Sequence, residues 1–201
     1  MPHRESLLHG WLTSVVGLVD YKLEPASADA SFRRYFRATL RDGTTRIAMD
    51  APPGNEDCRP FVEVAAHLRE LGLNVPRVYE SDLDQGFLLM SDLGSEHYLD
   101  RLQMDGGERL YADALGALMV MQACGRRDGL PDYSRELLLQ EMGMFREWLL
   151  GRQLGLDLSD AEEQMLDGLF GVLAGNALEQ PQVFVHRDYH SRNLLVTPAP
   201  N

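Results

Sequence analysis

Hydrophobic and polar positions follow different spacings in the two halves of the chain. Up to about residue 90, apolar side chains recur mainly at every second position, in short runs bounded by Gly, Pro or an Asp-Gly pair. Such runs are typical of β-strands joined by turns. Apolar residues at helical spacing predict one helix before the strands and one among them. The predicted helices are Glu5–Val19 and Arg59–Leu71, and the predicted strands are Tyr21–Leu23, Arg34–Leu40, Arg46–Met49, Val75–Tyr79 and Gly86–Met90.

The second half of the chain has mainly helical spacing. Apolar residues three or four positions apart predict helices over Gly107–Cys124 and Arg135–Leu150. A third helix is predicted from Ser159, because Glu162 stands three positions later and the two residues can form a capping box. The change of spacing predicts an α+β protein with a strand-rich part, residues 1–93, and a helical part, residues 94–201.

A polar stretch, residues 186–193, lies between the apolar runs Val183–Val185 and Leu194–Val196. It reads His-Arg-Asp with an Asn five positions after the Asp, which is the pattern of a kinase catalytic loop. In that pattern Asp188 accepts the proton of the attacking hydroxyl and Asn193 holds Mg²⁺. We therefore expect a strand on each side of the loop. The alternative is a polar connection between two strands with no catalytic role.

His190 distinguishes this loop from that of protein kinases, which usually have a Lys two positions after the catalytic Asp. The loop reads His-x-Asp-x-His-x-x-Asn from His186 to Asn193, and this pattern resembles the aminoglycoside phosphotransferase and choline kinase superfamily. The resemblance implies a protein-kinase-like fold with two lobes, an antiparallel sheet in the N-terminal lobe and a mainly helical C-terminal lobe. It also implies ATP and Mg²⁺ as cofactors, a small-molecule acceptor, and catalytic roles for Asp188 and His190.

The same resemblance implies that three segments bind ATP. Loop Ala26–Arg33 joins the first two strands, and its small side chains would let backbone amides approach the phosphates. Run Leu88–Gly94 resembles a kinase hinge, where backbone groups contact adenine beside an apolar wall. An ordinary loop and an ordinary turn are the alternatives for these two segments. The candidate nucleotide-binding residues are Ser27, Ser31, Phe32, Arg33, Met90, Ser91 and Leu93, together with Ala48 of the third segment.

The third segment, Ile47–Asp50, departs from the kinase pattern. Aligned with Val-Ala-Ile-Lys, it puts Ala48 over the adenine and Asp50 where the Lys pairs with the α- and β-phosphates. The helix residue that usually pairs with this Lys would be Glu63. Because a carboxylate cannot bind phosphate as the Lys does, we expect that this contact is absent, is made by a nearby arginine, or is replaced by a metal ion. The candidate arginines are Arg33, Arg34 and Arg46.

Three further stretches narrow the resemblance: Ser-x-Asp-Ala-Ser-Phe-Arg-Arg-Tyr-Phe-Arg from Ser27, then Met49–Pro53 and Asp57–Phe61. They are similar to the cell-wall amino-sugar kinases of Gram-negative bacteria. This resemblance implies transfer to the anomeric hydroxyl of N-acetylmuramate or N-acetylglucosamine in peptidoglycan recycling. An aminoglycoside or choline-type phosphotransferase and a non-catalytic pseudokinase are the alternatives. In the superfamily a second metal-binding Asp follows the catalytic loop, and from its absence before Asn201 we expect a truncated helical lobe.

Composition excludes several classes of partner. The chain has 201 residues and a net charge of −12, which would repel nucleic acids and anionic membranes. No run approaches the ~20 apolar residues that span a bilayer, and the N-terminal residues lack the pattern of a signal peptide. Cys58 and Cys124 are too few for a disulfide scaffold and lack metal-ligand spacing. We therefore expect a cytoplasmic enzyme that binds neither nucleic acid nor membrane, with its oligomeric state left open.

Overall fold

The computed structural model of the chain describes residues 2–28, 32–102 and 107–197. Its backbone divides into two compact units, residues 1–126 with 185–201, and residues 127–184. The first unit contains all the strands and the polar stretch 186–193, and the second contains two long helical segments. The predicted division into lobes of residues 1–93 and 94–201 stays a prediction, since these units follow a different boundary.

Five antiparallel strands form one sheet, in the order β1-β2-β3-β5-β4. The Asp-Gly pair predicted to turn the chain does so between β2 and β3, where Gly43 has a φ of +83°. β1 is longer than predicted and contains Pro25, which an edge strand tolerates because one side of it needs no ladder hydrogen bonds. The strands are β1 Lys22–Ala28, β2 Arg34–Thr39, β3 Thr45–Asp50, β4 Val78–Asp82 and β5 Phe87–Ser91.

Each face of the sheet packs against a different helix. Helix α1, Pro2–Ser14, covers one face, which we call the α1 face. Helix α2, Arg59–Glu70, covers the other, which we call the α2 face. The α1 face buries Phe36, Ala48, Phe87 and Leu89 under Leu8, Trp11 and Leu12. The α2 face buries Met49, Leu88 and Met90, packed with Phe61 and Val62.

Two glycines fix the backbone at the ends of these elements. α1 ends earlier than its predicted limit of Val19, because Gly17 has a φ of +78°, a left-handed conformation that typically stops a helix. Gly86, before β5, has a φ of +73°, and a Cβ atom there would lie 1.8 Å from the carbonyl oxygen of Ala51. The Gly86 carbonyl accepts a hydrogen bond from the Ala51 N–H at 2.8 Å. Only glycine can therefore join β4 to β5 this closely against the end of β3.

The remaining helices follow the predicted order. In the first unit, α3 spans Tyr98–Leu102 and α4 spans Gly107–Cys124. In the second unit, α5 spans Arg135–Met144 and continues as a π-helix over Phe145–Gln153. The last helix, α6, spans Asp160–Leu178, and its predicted capping box is confirmed, since the Ser159 N–H donates to Glu162 Oε2 at 2.8 Å.

The prediction of a strand on each side of the polar stretch is wrong. Val183–Val185 has no strand structure, and Leu194–Val196 contributes only one bridge, between Leu195 and His97. A strand needs a neighbour over several residues to complete its ladder. Here the short segment 96–99 is the neighbour, and α3 begins within it. The polar stretch is thus a loop held by a few backbone hydrogen bonds rather than a turn between two long strands.

Candidate active site

Loop 186–193 is attached to the rest of the first unit through Tyr189. The Tyr189 hydroxyl donates a hydrogen bond to the Ala114 carbonyl of α4 at 2.7 Å. The same ring meets the His186 ring edge-on, with 5.2 Å between the ring centroids. Because Tyr189 adjoins Asp188 in the sequence, this attachment limits how far the aspartate can move.

The returning arm of the loop bonds to the segment that follows β5. The Tyr98 N–H donates to the Leu194 carbonyl at 2.9 Å, and the Val196 N–H donates to the Glu96 carbonyl at 2.8 Å. Residues 91–94, the predicted hinge, lie just before this segment in the sequence. The C-terminal end of the predicted catalytic loop is therefore bonded to the segment that follows the predicted hinge.

Asp188 is the centre of the loop's hydrogen bonds. Its Oδ1 lies 2.9 Å from His190 Nε2, and its Oδ2 accepts from Asn193 Nδ2 at 2.7 Å. Asn193 Nδ2 also donates to the Asp188 main-chain carbonyl at 3.0 Å. The Asp188 side chain is nevertheless 71% exposed. The three residues predicted to do the chemistry are thus in direct contact, and the carboxylate stays open to a substrate.

The hydrogen bonds of His190 fix its protonation pattern when the ring is neutral. Nδ1 accepts from the Arg192 N–H at 3.2 Å, so the ring proton lies on Nε2. Nε2 then donates to Asp188 Oδ1. His190 therefore donates a hydrogen bond to the Asp188 carboxylate. This bond orients the carboxylate, whose remaining lone pairs can accept an incoming proton.

The residue before the aspartate has an uncommon backbone conformation. Arg187 has a φ of 72°, in the left-handed region that few residues other than glycine adopt. Such a conformation costs about 1–3 kcal/mol and is concentrated at functional sites. It turns the chain sharply between His186 and Asp188.

The hinge is held by Arg37 of β2. Arg37 Nε donates to Asp92 Oδ2 at 2.6 Å, and Nη2 donates to Asp92 Oδ1 at 3.1 Å and to the Gly94 carbonyl at 3.2 Å. The Asp92 side chain is only 6% exposed. Burial opposes its ionisation, but the bonds from Arg37, the Gly94 N–H and Thr45 outweigh burial and lower the pKa of Asp92. The predicted hinge therefore contains a turn that is held by a largely buried ion pair.

Asp92→Asn is expected to reduce the free energy of unfolding at about pH 7 by roughly 1.5–3 kcal/mol, the usual contribution of hydrogen bonds to a charged group. The folded pKa of Asp92 lies below the ordinary value of about 3.9. The contribution of Asp92 to stability is therefore complete above the ordinary pKa of about 3.9 and is lost as the pH falls through the folded pKa. The measurement is urea unfolding of both proteins between about pH 7 and pH 3. A difference that stays constant over this range would contradict the prediction, and Asp84→Asn, in the exposed β4–β5 turn, is the control.

The predicted phosphate loop, Ala26–Arg33, overlaps the last three residues of β1 and the connection from β1 to β2, of which residues 29–31 lie outside the described residues. Ser27 lies near the end of β1, where its backbone pairs with Tyr35. Ser31 lies outside the described residues. Phe32 is exposed, and Arg33 is half-buried in an ion pair with Glu56. The topology of the loop is as predicted, and the roles of these residues in binding a nucleotide stay predictions.

The structure changes the predictions for two of the residues expected to contact adenine, Ala48 and Ser91. Ala48 has no exposed surface and lies on the α1 face, under Leu8 and Trp11, so the predicted contact with an adenine is wrong. The Ser91 N–H is already used, since it donates to the Arg77 carbonyl at 2.9 Å. Met90 is buried on the α2 face. Leu93 is half-buried in the hinge, and both residues keep their predicted roles as predictions.

Asp50 lies with Ala48 on the α1 face and is also fully buried. Its Oδ1 accepts from Arg4 Nε at 2.8 Å and from Arg4 Nη2 at 2.5 Å. Its Oδ2 accepts from both Nε and Nη2 of Arg34. Neither this cluster nor the Arg37–Asp92 pair was predicted from the sequence. Their partners are 46 and 55 residues apart, and no local pattern joins them.

A family model supplies the comparison that decides the classification. The model of the phosphotransferase enzyme family matches residues 22–201. The chain belongs to this family. The predicted resemblance to aminoglycoside phosphotransferases is therefore confirmed.

Curated relatives carry one name. N-acetylmuramate/N-acetylglucosamine kinase of Pseudomonas aeruginosa is 46% identical over 176 residues, which are 88% of this chain and 52% of the relative. The kinase of the same name from Pseudomonas putida is 45% identical, covering 89% of this chain and 52% of the relative. That of Neisseria meningitidis is 38% identical, covering 96% and 59%. The chain thus spans about half the length of the curated relatives it matches in Pseudomonas.

Solved structures confirm the predicted fold class. The ternary complex of streptomycin, ATP and APH(2'')-IIa matches 96% of this chain and 67% of its own, with a TM-score of 0.62 and 13% identity. ADP-bound aminoglycoside phosphotransferase APH(2'')-Ib matches the same shares with a TM-score of 0.61 and 13% identity. The chain has the α+β, kinase-like fold of these enzymes. Within the described residues, none of the helices has the length and apolar character needed to span a bilayer.

Proposed function

We propose that the protein is a kinase that transfers the γ-phosphoryl group of ATP to a sugar hydroxyl in the cytoplasm. The acceptor we propose is the anomeric hydroxyl of N-acetylmuramate or N-acetylglucosamine, which gives a sugar 1-phosphate. The single observation that carries the proposal is the exposed Asp188 carboxylate, held by His190 and Asn193. The names of the relatives support the acceptor.

In this proposal Asp188 accepts the proton of the attacking sugar hydroxyl. His190 and Asn193 each occupy one carboxylate oxygen, so the carboxylate has a fixed orientation before the substrate arrives. Such preorganisation is the main protein contribution to phosphoryl transfer, where little covalent chemistry is left to side chains. Tyr189 keeps the loop in place through its hydrogen bond to α4.

Asn193 fits the role of a magnesium ligand. Its Nδ2 is directed at Asp188, so the amide oxygen is directed away from the carboxylate. An amide oxygen is a hard, neutral ligand, and Mg²⁺ in kinases takes few protein ligands besides phosphate oxygens and water. When bound, the ion would neutralise phosphate charge. Among the described residues, no group of three or more His, Cys, Asp or Glu side chains could hold a metal ion by itself.

Asn193→Ala is expected to raise the Mg²⁺ concentration needed for half-maximal rate, because one oxygen ligand is lost. It should also free Oδ2 of Asp188, so kcat should fall at saturating Mg²⁺ as well. The measurement is initial rate against Mg²⁺ concentration for the complete gene product. Asn74→Ala is the control, since this exposed amide donates to the Thr197 hydroxyl at 3.0 Å and lies outside the loop. An unchanged Mg²⁺ dependence would mean that Asn193 only caps the loop.

The acceptor is tested by turnover of the complete gene product with ATP. The panel is N-acetylmuramate, N-acetylglucosamine, an aminoglycoside and choline, with ADP formation as the rate and phosphorus NMR to identify the product. We expect an anomeric phosphate from the two amino sugars only. Preferential phosphorylation of the aminoglycoside or choline would reassign the substrate class. Binding of ATP without turnover of any acceptor would favour a pseudokinase.

A further inference from the structure

Arg33 and Glu56 form an ion pair beside the connection between β1 and β2. Arg33 Nη2 lies 3.1 Å from Glu56 Oε2, and the side chains are only 29% and 16% exposed. Arg33 also interacts with Tyr35, which packs on the α2 face. Burial acts against the charge, but Tyr35 and Glu56 outweigh it and raise the pKa of Arg33. The arginine is therefore a fixed cation at this edge of the α2 face.

The register of β3 shows which position corresponds to the kinase strand lysine. In protein kinases this Lys pairs with a Glu of the helix that follows the strand. It must therefore project toward that helix, which is α2 in this chain. Met49 is the side chain near the end of β3 that packs on the α2 face, whereas Asp50 belongs to the α1 face. The lysine position is thus Met49 rather than Asp50.

Neither member of the usual Lys–Glu pair is available. Met49 is uncharged and fully buried, and Glu63 of α2 is exposed to solvent. A phosphate-binding cation must then come from another residue if the site binds ATP. Because the lysine position projects to the α2 face, we expect the replacing cation on that face.

Two of the three candidate arginines are engaged elsewhere. Arg34 is bound to Asp50 on the α1 face. Arg46 bonds to its neighbour, the Thr45 carbonyl, and its guanidinium lies 4.7 Å from the centre of the Tyr79 ring. Arg33, the last residue of the predicted phosphate loop, is the remaining candidate, and its acidic partner is Glu56.

We propose that Arg33 replaces the strand lysine as the phosphate-binding cation and that Glu56 is its positioning residue. Arg33 and Glu56 have the same charges as the usual Lys and Glu. Arg33 lies in the connection before β2, and Glu56 lies in the connection after β3. This inference rests on the proposed ATP-dependent function. A guanidinium presents several N–H donors in a fork, so it can keep Glu56 on one side and bind phosphate oxygens with the rest.

The test compares nucleotides that differ only in their phosphates. Dissociation constants of MgATP, MgADP and adenosine are measured by calorimetry for wild type, Arg33→Met, Arg33→Lys and Glu56→Gln. Arg41→Met is the matched control, because Arg41 lies in the exposed β2–β3 turn and its side chain is 86% exposed. Thermal unfolding of each variant shows whether it is folded.

We expect Arg33→Met to weaken MgATP and MgADP about 10- to 100-fold, the loss expected for a charge-assisted hydrogen bond, with adenosine unchanged. Arg33→Lys keeps the charge without the fork and should weaken the phosphorylated ligands less. Glu56→Gln should weaken the same two ligands and leave adenosine unchanged, which a purely structural role would not produce.

Equal losses for ATP and adenosine, or no loss in Arg33→Met, would overturn the assignment of Arg33 while leaving the kinase proposal intact. If Arg33→Met does not fold, Arg33→Lys and Glu56→Gln test the assignment instead. Unchanged ATP affinity in both of these variants would overturn it. Wild type that binds neither ATP nor ADP would instead overturn the proposed function itself.

Discussion

Asp188→Asn is expected to lower kcat about 10²- to 10⁴-fold, the usual range for a positioned acid–base group. The amide cannot accept the hydroxyl proton, and its single oxygen can accept only one of the two hydrogen bonds that His190 and Asn193 donate to the carboxylate. Phosphoryl transfer depends strongly on positioning and charge, so the loss should lie toward the lower end of this range. The dissociation constant of MgATP should change little, because Asp188 faces the acceptor in the proposed reaction.

The measurement is steady-state kinetics of the complete gene product with N-acetylmuramate and ATP. Asp84→Asn makes the same chemical change in the exposed β4–β5 turn and should behave as wild type. An Asp188→Asn protein with near wild-type kcat would remove this residue from the chemistry. Activity lost together with ATP binding would point to a distorted loop rather than a missing base.

Asp50→Lys is expected to prevent folding. The carboxylate has no exposed surface and is bound by Arg4 and Arg34, so an ammonium there would bring three cations together. Removing one member of a buried ion pair costs about 3–5 kcal/mol, and a typical domain has only about 5–15 kcal/mol of stability. The added repulsion increases that loss.

Urea unfolding followed by circular dichroism measures the effect, with Asp84→Lys as the control for the charge change. Asp84→Lys should remain folded, because its side chain is exposed. A folded Asp50→Lys protein with a higher kcat/KM for ATP would contradict the structural role of Asp50. That result would also restore the original alignment, in which Asp50 occupies the lysine position.

The sequence was a better guide to which residues of the loop lie together than to the geometry of the sheet. Asp188 and Asn193 were predictable because a fixed spacing along one loop carries their relation. The faces of β3 were not predictable in the same way. Helices cover both sides of the sheet, so Ile47, Ala48 and Met49 are all apolar and their alternation does not mark an inner and an outer side. A shift of one residue therefore exchanged Met49 and Asp50 in the alignment.

The paired arginines were also beyond prediction from sequence. Arg37 and Asp92 lie in different elements, and Arg4 and Asp50 are joined only when α1 packs on the sheet. Many other Arg and Asp residues in this acidic chain could form such pairs on paper. What selects these two is the order of the strands, which places β2 beside β3 and the hinge at the end of β5.

The division of the chain into two units has a consequence for the entropy of folding. The backbone leaves the first unit after residue 126 and re-enters it at residue 185, just before the catalytic loop. Residues 127–184 are thus an excursion of the backbone that leaves the first unit and returns to it. The entropic cost of closing such an excursion grows only with the logarithm of its length, by about 0.6 kcal/mol per doubling. The length of this excursion therefore adds little to the entropic cost of bringing residue 185 back to the unit that residue 126 leaves.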